Sequence, residues 1–123
     1  MLFRSPHAVA AAALGRVVAL VRGLEQGDPD LIRVGVEDEL HVPHRLALIP
    51  GGEEAVRAGL TAGAFAVTVS GAGSGLIGLC DPGDAEAIAT AMWEAFDGGA
   101  GEPDCVGFPV RPSFEGLRRL PAG

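Results

Sequence analysis

Phe65-Ala66-Val67-Thr68-Val69-Ser70-Gly71-Ala72-Gly73-Ser74-Gly75-Leu76-Ile77-Gly78-Leu79-Cys80 is the stretch on which the fold turns. Phe65, Val67 and Val69 alternate with Ala66, Thr68 and Ser70, the period-two pattern of a strand. A glycine-rich loop follows, and Leu76–Cys80 reads as a second short strand. The spacing on either side of this stretch changes to that of helices. The chain is therefore expected to be α+β, with helices layered on a small sheet.

Upstream, Ser5-Pro6 reads as a helix cap followed by proline in the first turn. Alanines and leucines continue to about Gln26, and Gly27 is placed to end that helix in a left-handed conformation. Asp28-Pro29 repeats the cap-plus-proline pattern and predicts a second helix to about His41, ended by the restriction that Pro43 places on Val42. Pro43–Pro50 reads as an extended connector. A third helix is expected from Gly51-Gly52 to Gly63, with Glu53 and Glu54 in its first turn, where acids suit the helix dipole.

Downstream, Asp81–Asp84 starts a fourth helix to about Phe96. Ile88, Met92 and Phe96 share one face, with Trp93 beside them. A loop over Gly98–Gly101 and a last strand over Cys105–Val110, with Pro109 hinting at an edge, complete the reading.

The 123 residues are enough for one domain and one core, with no linker or repeat to divide them. At 48% apolar and 5% aromatic, that core must be built from Ala, Val, Leu and Ile. A net charge of -7 disfavours nucleic acid or an anionic membrane as partner, and solubility is its plain consequence. Cys80 and Cys105 have neither metal nor redox spacing and read as buried free thiols of a reducing cytoplasm. The apolar run Ala8–Val21 is too short to span a bilayer, and its spacing continues past Arg16 as in a core helix.

Two segments could carry chemistry. Small residues and glycines in Ser70-Gly71-Ala72-Gly73-Ser74-Gly75 let the backbone turn through positive φ, where exposed N–H groups can form an anion nest. A hairpin turn of no chemical role is the plainer alternative. In Glu37-Asp38-Glu39-Leu40-His41-Val42-Pro43-His44-Arg45, Glu37 and His41 would share a helical face. Arg45 beyond Pro43 could grip a carboxylate through two parallel hydrogen bonds, or could be an exposed residue at a solvated helix end. Pro43 argues against His41 and His44 as a metal pair. The Gly-Lys-Ser/Thr phosphate loop, the dinucleotide fingerprint, a nucleophile elbow and a carboxylate pair for acid–base work are all missing from the sequence. No catalytic or metal-ligating residue is expected.

Taken together, Glu37-Asp38, Leu40-His41, Pro43, Arg45, Leu48-Ile49-Pro50-Gly51 and, one helix and one strand later, Ser70-Gly71-Ala72-Gly73 resemble the C-terminal half of the homoserine kinases of the GHMP kinase family. The resemblance runs roughly from Ser5 to Val110. It implies a ferredoxin-like α/β layer, the GHMP kinase C-terminal domain, filling residues 1–123 as a single domain. It implies transfer of the ATP γ-phosphate to the hydroxyl of L-homoserine, a cytoplasmic step toward threonine. Arg45 matches the family arginine that holds the homoserine carboxylate. Ser70, Gly71, Ala72 and Gly73 match the loop that supports the phosphate loop. Ser74 and Gly75 stand where the family has Pro and Thr or Ser, which implies a more flexible loop. The N-terminal half, with most ATP and Mg2+ contacts, is expected to be missing, leaving the chain inactive alone. Its partners would be L-homoserine, that N-terminal half and, through an uncovered apolar face, a second copy. The rival reading is a non-catalytic ferredoxin-like module that binds an amino acid or dimerises.

Overall fold

A computed structural model describes residues 6–100 and 105–116, and its side chains outside 97–100. Ser5, the expected first cap, and Gly101 lie outside the described residues. Among these described residues, five helices and two strands follow in the order α1 (His7–Gln26), α2 (Pro29–Val36), α3 (Val42–Leu46), α4 (Gly52–Thr61), β1 (Ala66–Ser70), β2 (Gly75–Leu79) and α5 (Ala85–Ala100). The strands form an antiparallel hairpin in which Ala66 pairs with Leu79 and Ser70 with Gly75. Helices plus this small sheet make an α+β fold, as the sequence implies.

Local chemistry explains most boundaries. Gly27 takes the left-handed conformation at the end of α1. Asp28 caps α2 by accepting from the N–H groups of Asp30 and Leu31 at 3.0 and 3.1 Å. Glu53 and Glu54 occupy the first turn of α4.

Four expectations of local structure fail. The second helix stops at Val36 instead of His41, because the Asp38 carboxylate accepts from the N–H groups of Leu40 (2.7 Å) and His41 (3.1 Å). That side-chain turn competes with the helix. Glu37 and His41 consequently do not share a helical face. The stretch after Val42 is the short helix α3, not an extended connector: Pro43 sits in its first turn, where no N–H is required. Residues 105–110 form no strand. They lie against α5 instead, where the Trp93 indole donates to the Cys105 carbonyl at 3.2 Å. A Cβ on Gly107 would come within 2.7 Å of Trp93 Cβ. The expected loop at Gly98 and Gly99 is taken up by α5, which continues to Ala100.

The layers meet through small residues. Val67 and Gly78, paired across the hairpin, face α4 and α5. A Cβ on Gly59 of α4 would meet Met92 of α5 at 2.8 Å and Val67 of β1 at 2.9 Å. Ile32, Ala55, Ala64, Ala66 and Ile88 form the buried core. Met92 and Phe96 are half-buried beside Ile88, as the spacing predicts. α1 is a different case. It packs on α2, yet Leu14, Val17, Val18, Val21 and Leu24 are 50–73% exposed, so it is not the buried core helix its spacing implies. Its 20 residues also exceed the apolar run, and length and composition alone would let it cross a membrane. Both cysteines are free and half-buried rather than fully buried.

Candidate functional site

The site is a corner where four pieces of chain meet. Asp38 builds the first part. Besides its two backbone bonds, its second carboxylate oxygen lies 3.3 Å from Nδ1 of His41. Partial burial pushes this carboxyl up, but the N–H groups of Leu40 and His41 and the His41 ring outweigh it, and its pKa falls below the ordinary value. The turn delivers the chain to His41, the residue before α3, whose carbonyl accepts from the Arg45 N–H at 3.0 Å.

Arg45 stands one turn into α3 and is half-buried. Its Nη1 donates to the carbonyl of Gly71 at 2.8 Å, across 26 residues of sequence. The two segments that the sequence singles out are thus in direct contact. The bond takes one of five guanidinium N–H groups, and among the described residues Arg45 pairs with no carboxylate. What remains is a fork suited to a carboxylate.

The glycine-rich segment is the tip of the β1–β2 hairpin. Gly71 and Gly73 have φ of 58° and 132°, and Ser74 shares the left-handed region at 60°. A Cβ on Gly71 or Gly73 would meet nothing within 4 Å, so backbone conformation and not crowding selects glycine there. Ser70, Ala72 and Ser74 are exposed along the same tip. The loop is a hairpin turn, and its Gly71 carbonyl receives Arg45.

Arg16 completes the corner. From α1 its Nη2 reaches Glu39 at 2.6 Å and Glu37 at 3.7 Å. The hydrogen bond to Glu39 raises its pKa above the ordinary arginine value, against desolvation. In the sequence Arg16 stands out only as a charge within an apolar run. Its spacing held a clue, since positions 13, 16, 20 and 23 form one helical stripe and Gly23 and Leu20 on it pack against Ile32 and Gly35 of α2.

Among the described residues, no group of three or more His, Cys, Asp and Glu is placed to hold a metal ion. His41 is engaged with Asp38. The described corner does not fit a magnesium–nucleotide site of its own. It fits the recognition of a small anion by Arg45.

The frame of this corner is a two-stranded hairpin backed by α4 and α5, with α3 reaching its tip. The family model "GHMP kinases C terminal" matches residues 20–98, and the chain belongs to that family. Several individual relatives are homoserine kinases. That of Synechococcus sp. (strain RCC307) is 41% identical over 88 residues, which are 72% of this chain and 28% of the relative. That of Thermosynechococcus vestitus is 46% identical over 82 residues, 64% of this chain and 27% of the relative. The crystal structure of homoserine kinase from Cytophaga hutchinsonii superposes with a TM-score of 0.72 at 32% identity, covering 80% of this chain and 31% of that one. The chain thus spans under a third of the length of these relatives and aligns with their C-terminal part.

Proposed function

We propose that this chain is the substrate-facing C-terminal part of a homoserine kinase, an enzyme that transfers the γ-phosphate of ATP to the hydroxyl of L-homoserine in threonine biosynthesis. The Arg45–Gly71 hydrogen bond carries the reading, because it joins the two motifs of the resemblance at one corner. In this proposal Arg45 grips the substrate carboxylate and so orients the hydroxyl. The tip Ser70, Gly71, Ala72 and Gly73 supports the phosphate loop of the N-terminal half. ATP and Mg2+ are held mainly by that half, and supply the phosphoryl group and the neutralisation of its charge. A cytoplasmic setting belongs to the same proposal, in keeping with two free thiols.

The experiment joins this chain to the N-terminal two-thirds of one of the similar homoserine kinases. ATP-dependent phosphorylation of homoserine is expected from the joined protein and not from the 123 residues alone. Arg45→Ala in the joined protein should raise the homoserine KM by about tenfold or more, with the ATP KM little changed. Turnover by the isolated chain, or an unchanged homoserine KM, overturns the respective claim.

The exposed stripe of Leu14, Val17, Val18, Val21 and Leu24 favours a second reading, a non-catalytic module that dimerises or binds an amino acid. Calorimetric titration of the isolated chain with homoserine and threonine, beside sedimentation equilibrium, separates the two. Tight threonine binding by a dimer supports the module.

A further inference from the structure

Arg16 is a charged residue in an otherwise apolar helix, and its side chain is 18% exposed while both of its partners are about 60% exposed. An apolar residue at this position of the α1–α2 face would avoid desolvating a guanidinium, so packing alone does not account for it. Its geometry does. Glu37 and Glu39 flank Asp38, whose turn leads directly into α3. Asp38 sets the shape of that turn through bonds within residues 38–41, and none of those bonds ties it to α1. The Arg16 pairs do, by tying both sides of the turn to a 20-residue helix. One helical turn further on, Arg45 must meet Gly71.

We infer that Arg16 is a positioning residue for Arg45: by anchoring Glu39 and Glu37 to α1, it fixes the start of α3 and thereby the direction of the Arg45 guanidinium. The inference rests on the reading of Arg45 as the carboxylate-binding residue. It assigns to α1, which is remote in sequence from both motifs, a part in substrate affinity.

The test uses the 123-residue chain with nitrogen-15 arginine, following the Arg45 Nε–Hε resonance by NMR. Arg16→Gln and the double variant Glu37→Ala/Glu39→Ala should each shift that resonance, because the guanidinium held by its Nη1 bond to Gly71 would be reoriented. Arg16→Lys, which keeps the charge, should restore part of the wild-type signal. Thermal unfolding, followed in parallel, reports whether each variant is folded. An unmoved Arg45 resonance in folded Arg16→Gln overturns the inference. Where that variant does not fold, an unmoved resonance in the double variant does so, since both carboxylates are exposed. A separate homoserine titration, read on the same resonance in the wild-type chain and in the joined kinase, tests the role of Arg45 itself. Variants that move Arg45 while homoserine does not would leave the positioning intact and remove the substrate.

Discussion

The α1–α2 contact and the hairpin tip are both rich in glycine, for opposite reasons. A Cβ on Gly23 would lie 2.7 Å from the backbone N of Ile32, and one on Gly35 would strike the backbone of Leu20. At Gly71 and Gly73 there is open space, and positive φ is what excludes other residues. The first pair lets two helices approach closely. The second pair lets a chain reverse. Glycine content alone therefore says little about chemistry, and a glycine's neighbours decide whether it serves packing or shape.

That contrast can be broken by adding methyl groups. Gly35→Ala should have the largest effect, because backbone cannot yield as a flexible side chain would. We expect a loss of about 3 kcal/mol or more in chemical denaturation, at the upper end for overpacking. Gly73→Ala should cost about 1–2 kcal/mol through backbone strain, with no clash. A Gly73→Ala loss as large as that of Gly35→Ala would erase the distinction.

Acid gives a milder test, confined to the corner. The pKa of Asp38 is lowered in the folded chain, so its contribution is present above the ordinary carboxylate value and is lost as pH falls through the depressed one. The protection of the Leu40 and His41 amides, taken relative to the intrinsic exchange rate at each pH, should fall over that acidic window while that of the α1–α2 contact holds. Asp38→Asn, which keeps an acceptor oxygen, should flatten the pH dependence. Gly15→Ala is the smallest change and has the opposite sign. Gly15 lies mid-helix in α1 with nothing within 4 Å of an added Cβ, so the variant should stabilise by about 0.5–1 kcal/mol.

Much of the architecture was legible where one local signal dominates. Gly27, Asp28-Pro29 and the alternation at Phe65–Val69 each point to one outcome, and the structure follows them. The second helix was overestimated because Asp38 offers the backbone a competing set of hydrogen bonds. Pro43 suits both an extended stretch and a first helical turn, and period alone does not choose between them. Residues 105–110 carry a strand-like pattern, but the seat of Gly107 on α5 and the Trp93 bond are tertiary facts. At the candidate site, Arg45 and the Gly71 loop were legible as motifs. Their contact was not legible, since it spans 26 residues. Arg16 was missed because its partners lie beyond the end of the following helix.

The Arg45–Gly71 bond has a geometric consequence for the hairpin tip. A trans peptide is planar, so a pinned Gly71 carbonyl also sets the amide proton of Ala72 pointing the opposite way. A ligand that draws the guanidinium off this oxygen unlocks the whole amide plane between residues 71 and 72. The proton on its far side is then free to swing, and an event at the arginine is felt across the tip.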